Sequence, residues 1–263
     1  MISISSAQLD TWLALFVFPL SRILGLLASA PVFNNAATPV RVRLIAGLAI
    51  ALALVPALPP LPAIPASSWI GLAVMAEQIL IGVLLGFTLR LAFAAVDVAG
   101  ELIGLQMGLS FATFFDPDSG GQTPVVSEFL GLLTALIFLA LNGHLLTLTV
   151  LAESFTLLPV STTPIHAAAF ASLMAWSATL FSTGLLLALP LITALLIANI
   201  ALGVLARIAQ QLNLFAVGFP VTLALGFLVL LLSLPYIGAA MESLFTQGFQ
   251  AMGTVMRAAG NPL

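Results

Sequence analysis

Three charged residues in an otherwise apolar stretch are the first candidates for chemistry. Arg90, Asp97 and Glu101 follow one another at i, i+7 and i+11, which places them on one stripe of a continuous helix. A charge near the centre of a membrane helix costs at least about 2.5 kcal/mol, so these residues need partners or a wet cavity. A proton relay would need a path of acids facing a second set, which this arrangement does not provide. We therefore interpret the stripe as a helix end or a subunit contact.

The two histidines do not form a recognisable metal or catalytic site. His144 follows Asn142-Gly143, His166 lies 22 positions further on beside Pro164, and the chain has no cysteine. Motifs for zinc, for a serine nucleophile and for phosphate-binding loops are also missing. We predict no enzyme activity, no cofactor and no metal. We interpret His144 as a hydrogen-bonded packing residue, with a proton-linked role as the alternative.

Two further charges lie inside apolar segments. Arg22 lies in the first segment and Glu77 in the third. Because an unpaired charge there is costly, we predict an ion pair between helices. The pair could join these two residues or reach another subunit, and the sequence does not choose.

The elements that position these residues are membrane-type helices. The 263 residues are 62% hydrophobic and 6% charged, whereas a soluble domain has about 25% charged residues. The net charge of -3 is too small for a nucleic-acid footprint, so no nucleic-acid partner is expected. We predict an all-α, polytopic membrane protein with about six long hydrophobic helices in contact with lipid. The segments are Thr11–Val32, Val40–Ala57, Trp69–Phe93, Phe129–Leu151, Phe170–Asn199 and Leu214–Leu234.

The arginines suggest an orientation for these six segments. Arg41 and Arg43 lie in the first connection, Arg90 at the end of the third segment and Arg207 in the fifth connection. If every segment crosses, these connections share one side, and the positive-inside rule puts them in the cytoplasm with both termini outside. Arg257, in the C-terminal tail, disagrees.

Small residues at four-residue spacing predict close helix packing. Gly100, Gly104 and Gly108 form one such ridge, and Gly82 and Gly86 precede it. Another stripe combines Asn199, Gly203 and Arg207 before a polar turn, which indicates a capped hairpin tip or a docking site for a cytoplasmic partner.

The stretch from Met107 to Gln122 is the most unusual in the chain. Phe111, Phe114 and Phe115 are spaced at i, i+3 and i+4, as on one apolar helix face. Asp116-Pro117 then ends the helical pattern before a Ser-Gly-Gly tip. An apolar cluster followed by such a loop could block an aqueous path by dewetting and still move aside. Packing of a helix end in the core is the alternative.

These strings together resemble FliR, the flagellar member of the export-gate proteins shared with type III secretion systems, where the SctT family is related. The resemblance rests on Glu101-Leu-Ile-Gly-Leu-Gln-Met-Gly-Leu-Ser-Phe111, on Asp116-Pro117 and on Leu141-Asn-Gly-His144. It continues through Ala201-Leu-Gly-Val-Leu-Ala-Arg207, Gln211-Leu-Asn-Leu-Phe215 and Gly218-Phe-Pro220. Gln210 stands where the family often has proline. The loop after Asp116 is similar to the flagellar form, with the virulence form as the alternative.

The resemblance implies a FliP-like helical part at residues 1–176 and a FliQ-like helical hairpin with a tail at 177–263. It implies a complex with FliP and FliQ subunits and FlhB, at the flagellar basal body in the bacterial inner membrane. The substrates would be unfolded flagellar proteins passing through a pore. The segment 107–122 would then be the plug, whose members are Met107, Phe111, Phe114, Phe115, Asp116, Pro117, Ser119, Gly120 and Gly121. Apolar helices, the glycine ridge and buried charges would contact sister subunits.

A small-molecule secondary transporter is the rival from another class. The six segments and the charged stripe would suit it. It would need broken helices and matching halves, and the two halves of this sequence do not match.

Overall fold

The computed structural model describes residues 6–35, 37–59, 62, 64–109, 113–116, 121–208 and 214–260. Seven α-helices are found in these ranges, and a 3-10 turn at Val55–Ala57 follows the second. The helices are α1 Ser6–Ser29, α2 Val40–Leu54, α3 Trp69–Gln106, α4 Val125–Ala140, α5 Gly143–Leu157, α6 Ala168–Ile208 and α7 Leu214–Gly260.

Prolines set several of the helix boundaries. Pro39 directly precedes α2, and Pro124 directly precedes α4 in an extended conformation. Proline lacks a backbone donor that the first turn of a helix does not need, and it fixes φ at a helical value, so it suits these positions. Proline clusters also separate the predicted segments Thr11–Val32, Val40–Ala57 and Trp69–Phe93, and both α2 and α3 begin after such a cluster.

The fourth predicted segment is wrong as a single helix. It is divided between α4 and α5 by Leu141 and Asn142, and Asn142 has a positive φ of 57°. Asparagine adopts this left-handed conformation more readily than most residues, and Gly143 follows it. An Asn-Gly pair therefore ends one helix and begins the next.

The long helices make this a polytopic helical membrane protein, as predicted. Among the described residues, four helices are long and apolar enough to span a membrane, and the broken pair α4 and α5 is a fifth candidate. The apolar part of α1, Leu13–Ser29, is shorter than the about 20 residues that a span needs. The count of six spans is thus not reached by length alone.

The arginines used to predict the orientation lie in helices, whereas the prediction placed most of them in connections. Arg41 and Arg43 lie in the first turn of α2, and Arg90 lies well inside α3, which continues to Gln106. Arg207 lies in the last turn of α6. All four residues lie in helices and none lies in a connection, so the orientation stays a prediction.

Two short strands are an addition to the predicted helical class. Strand β1, Thr113–Asp116, pairs antiparallel with β2, Gly121–Pro124, in the register Thr113 to Pro124 and Asp116 to Gly121. Thr and Phe favour extended backbone, and a Gly-containing connection suits a hairpin.

The chain forms two compact units. Unit 1 comprises Met1–Leu91, Asn142–Ser177 and Phe245–Leu263. In it α1 packs closely on α3: an added Cβ on Gly82 would collide with the carbonyl of Arg22. Trp176 donates a hydrogen bond from Nε1 to the carbonyl of Thr88 at 2.9 Å.

Unit 2 comprises Ala92–Leu141 and Ala178–Leu244. Its core includes an edge-to-face pair of Phe93 and Phe138 with ring centroids 5.4 Å apart. Both units are built from non-consecutive stretches, whereas the predicted division at residue 177 is consecutive. That FliP-like and FliQ-like division stays a prediction.

Candidate functional site

The predicted plug segment begins at a helix end that is built in detail. Helix α3 stops at Gln106, and the N–H groups of Met107 and Gly108 donate to the carbonyls of Ile103 at 2.9 Å and Leu105 at 3.1 Å. Gly108 has a φ of +77°, the left-handed conformation that commonly ends a helix. The chain therefore leaves the axis of α3 at this glycine.

Contacts with α7 hold this helix end in place. The side chain of Met107 is fully buried, and a Cβ added to Gly226 would lie 2.7 Å from Met107 Cγ. A Cβ on Gly108 would lie 3.5 Å from the ring of Phe219. Met107 thus anchors the start of the segment inside unit 2.

The remaining plug residues are described only in part. Phe114, Phe115, Asp116 and Gly121 lie in the two strands, and the structure describes their backbone alone. Phe111, Pro117, Ser119 and Gly120 lie outside the described residues. Since Phe114 and Phe115 are in a strand, the helical face predicted for the three phenylalanines is wrong in its geometry. The role of the segment as a plug stays a prediction.

The predicted glycine ridge is divided by the end of α3. Gly100 and Gly104 are buried in the helix, while Gly108 lies beyond it. A Cβ on Gly100 would collide with the backbone of Ser127 in α4, whereas one on Gly104 would make ordinary contact with Val126 at 3.8 Å. The packing at Gly100 is therefore within the chain, and an additional role in subunit assembly stays a prediction.

The charged residues of the predicted stripe are exposed. Arg90, Asp97 and Glu101 lie on the continuous helix α3, as expected, and Arg207 is exposed in the last turn of α6. The backbone carbonyl of Asp97 accepts a hydrogen bond from Ser127 Oγ at 3.0 Å. These positions are compatible with contacts to other subunits.

Arg22 lies at the centre of a buried polar cage in unit 1. Its side chain is fully buried, and its Nε and Nη2 donate to Gln78 Oε1 at 2.8 and 2.6 Å. Nη1 donates to the carbonyl and Oγ of Ser154 at 2.9 and 3.1 Å, and Nη2 also donates to the carbonyl of Leu158 at 2.8 Å. The guanidinium carbon stands 4.1 Å from the ring centroid of Phe155.

This cage uses the full hydrogen-bonding capacity of the guanidinium. An arginine has five N–H donors, and the five bonds to Gln78, Ser154 and Leu158 match that number. All the acceptors are neutral. The predicted ion pair of Arg22 with Glu77 is thus wrong as a direct contact, and α1, α3 and the end of α5 are joined instead by charge-assisted hydrogen bonds.

His144 and the acids do not gather into a metal site. Within the described ranges, no group of three or more His, Asp or Glu residues is placed to hold a metal ion. His144 is expected to be a hydrogen-bonded packing residue, but its Nδ1 atom is buried without a hydrogen-bond partner among the described residues.

Comparison with known proteins identifies the family. Residues 13–248 match the family model described as bacterial export proteins, family 1. The flagellar biosynthetic protein FliR of Pectobacterium carotovorum subsp. carotovorum is 46% identical over 97% of this chain and 98% of its own length. FliR of Escherichia coli K12 is 43% identical over the same shares, and FliR of Aquifex aeolicus is 34% identical over 87% and 88%. The chain belongs to the FliR family.

The family model covers the regions that form the candidate sites. The family model spans Arg22, Glu77, the hairpin of β1 and β2, and most of α7. The names of the FliR relatives refer to flagellar biosynthesis and specify no chemical reaction.

Sequence reasoning missed the neutral partners of Arg22 in this FliR-family chain. Gln78 and Ser154 are uncharged polar residues inside apolar helices, each directly after a glutamate, which was the available signal. Leu158 could not have been found, because its contribution is a backbone carbonyl near the end of α5.

Proposed function

We propose that the chain is a subunit of the flagellar type III protein-export gate in the bacterial inner membrane, at the basal body. Its companions in this proposal are FliP, FliQ and FlhB, and its substrates are unfolded flagellar proteins. The FliR relatives, named for flagellar biosynthesis at 43% and 46% identity, support the flagellar branch over the virulence branch.

The length of α6 is the observation that best supports a subunit of a larger assembly. Exposed large apolar side chains occur along this helix from Phe170 to Ile208. At 1.5 Å per residue that stretch is about 57 Å long, measured along the helix. The hydrocarbon core is about 30 Å thick, so lipid alone does not cover the stretch. Neighbouring proteins would cover the rest.

Within this assembly, the segment from Met107 to Gln122 is proposed as the plug of the pore. Its two ends are supported differently. Met107 is held in the core of unit 2, and α4 follows directly after β2. A segment that is attached to a helix at each end stays in place in the assembly, which suits a gate.

Deleting residues 111–121 from the chain tests the plug. In cells with the assembled complex, the deletion is expected to raise ion leakage across the inner membrane. Flagellin secretion is measured in the same cells. The control is Phe129→Ser, which changes an exposed phenylalanine of α4 outside the hairpin. A tight membrane together with unchanged secretion in the deletion strain would refute the plug.

Purification tests the assembly itself. Expressed together with FliP and FliQ, the tagged chain is expected to copurify with both. Expressed alone, it is expected to aggregate in detergent because its apolar faces are uncovered. A chain that is stable and monodisperse alone, and that does not copurify with FliP and FliQ, would contradict the proposal.

A further inference from the structure

An open groove in unit 1 lies beside the first turns of α3. Its volume is about 810 Å³, and nine of its eleven lining residues are apolar. The exceptions are Glu77 and Thr162, and no lining residue is basic. The groove therefore combines apolar walls with a single carboxylate.

Among the residues of unit 1 that the structure describes, no charged group donates a hydrogen bond to Glu77. The carboxylate is half-buried, and the backbone of Ile165, another residue that lines the groove, acts on it electrostatically. The N–H groups of Arg22 are directed to Gln78, Ser154 and Leu158. Arg22 consequently acts on this carboxylate only through space.

We propose that the groove is the docking site for an apolar helix of another subunit, which places one Lys or Arg side chain against Glu77. This inference rests on the proposed assembly and specifies one of its contacts. The volume holds several side chains of a helix, and the walls require that most of them be apolar. A half-buried carboxylate in such surroundings is best compensated by a cation on a long stem.

The position of Glu77 along α3 favours a helix over a lipid headgroup. Trp69, at the start of α3, is 87% exposed, and tryptophan prefers the membrane interface. Glu77 is eight residues further on, about 12 Å along the helix. An ammonium headgroup at the level of Trp69 would stay that far from the carboxylate, whereas a neighbouring helix can present a cation beside it.

Photo-crosslinking identifies the occupant. A photoreactive amino acid at Ala73, which lines the groove one helical turn before Glu77, is introduced into the chain expressed with its companion subunits. We expect an adduct with an apolar peptide of another subunit that has a Lys or Arg within one turn of the linked residue. A lipid adduct, a peptide without such a residue, or no adduct in the assembled complex would overturn the inference.

Charge substitutions test the ion pair. Glu77→Lys is expected to lower the yield of assembled complex about tenfold or more, and Glu77→Gln several-fold. Glu153→Lys, an exposed acid of α5 outside the groove, is the matched control and is expected to leave the yield unchanged. The Lys or Arg found within one turn of the linked residue is then replaced with Glu. This replacement is expected to restore assembly with Glu77→Lys, and restored assembly also shows that the Glu77→Lys variant folds.

The outcomes separate this inference from the proposed function. If the wild-type chain copurifies with no export subunit, the proposed function fails. If the wild type assembles and both Glu77 variants match the control, only the groove inference fails. Loss of assembly in Glu77→Lys without rescue, alongside a normal yield for Glu77→Gln, also overturns it.

Discussion

Replacing Arg22 with methionine should destabilise unit 1 more than any other single arginine change. Methionine is similar in length and apolar, so the replacement removes the charge and all five donors while filling much of the space. The acceptors stay behind: Gln78 Oε1, the oxygens of Ser154 and the carbonyl of Leu158.

The cost follows from these abandoned acceptors. A buried acceptor that loses its partner costs about 1–3 kcal/mol, and charge-assisted bonds are at the upper end. Relaxation and the saved desolvation of the guanidinium reduce the sum, so we expect a loss of about 3–5 kcal/mol, as for a broken buried pair. At about 2–4 °C per kcal/mol, the midpoint of thermal unfolding should fall by about 10 °C. Arg22→Lys should show a smaller loss of stability than Arg22→Met, since an ammonium group keeps three donors.

Thermal unfolding of the detergent-solubilised complex, followed by tryptophan fluorescence, measures the effect. Arg41→Met is the matched control, because Arg41 is exposed on α2. The double variant Arg22→Met with Gln78→Leu should be less destabilised than the sum of the single variants, since it removes both partners of two bonds. An Arg22→Met complex as stable as the Arg41→Met complex would refute the reasoning.

Three further predictions concern glycines. Gly100→Ala should destabilise unit 2 by about 1–3 kcal/mol because its Cβ meets the backbone of Ser127, while Gly104→Ala should be tolerated; equal unfolding temperatures would contradict this. Gly108→Ala should cost about 1 kcal/mol, measured by the same unfolding assay, because alanine is strained at a φ of +77°; an unchanged midpoint would show that the helix end adapts. A Cβ added to Gly203 would have no heavy atom within 4 Å. Because alanine favours the helix more than glycine does, Gly203→Ala should stabilise α6 by about 0.5–1 kcal/mol. If Gly203→Ala instead lowers the yield of the complex, the residue contacts another subunit.

The helices were predictable where composition and proline agree. The apolar runs and the proline clusters located the beginnings of α2 and α3 at Val40 and Trp69. The apolar segment Trp69–Phe93 is shorter than α3, which continues to Gln106 through the charged residues Asp97 and Glu101, as the stripe on one continuous helix predicts. A charge changes the surroundings of a helix, but it does not break the backbone hydrogen bonds.

Short-range patterns gave two wrong geometries. The apolar residues on both sides of Asn142-Gly143 predicted one helix, although an Asn-Gly pair is typical of a turn. The turn is what the backbone forms. The spacing of Phe111, Phe114 and Phe115 suggested a helix, yet the same aromatic residues favour a strand once Gly108 has ended α3. Spacing alone does not separate the two when the run is short.

The sequence indicates that a polar residue of α3 contacts Arg22, but it does not decide between Glu77 and Gln78. Neighbouring residues on a helix differ by about 100° in direction, so Glu77 and Gln78 cannot both face α1. Charge favoured Glu77, while the close packing of Gly25 and Gly82 on the two helices turned Gln78 inward. Only the three-dimensional packing settles which neighbour contacts the arginine.

Unit 1 draws its third stretch, Phe245–Leu263, from far along the chain. In that stretch the carbonyl of Ala259 accepts a hydrogen bond from the N–H of His166 at 3.1 Å. The ribosome synthesises these residues after α1 and α3 and after all of unit 2. Unit 1 therefore cannot complete its fold until unit 2 has been synthesised. During that interval its apolar surface is open to chaperones and proteases. The fold of unit 1 is therefore completed only by the last part of α7, from Phe245 onward.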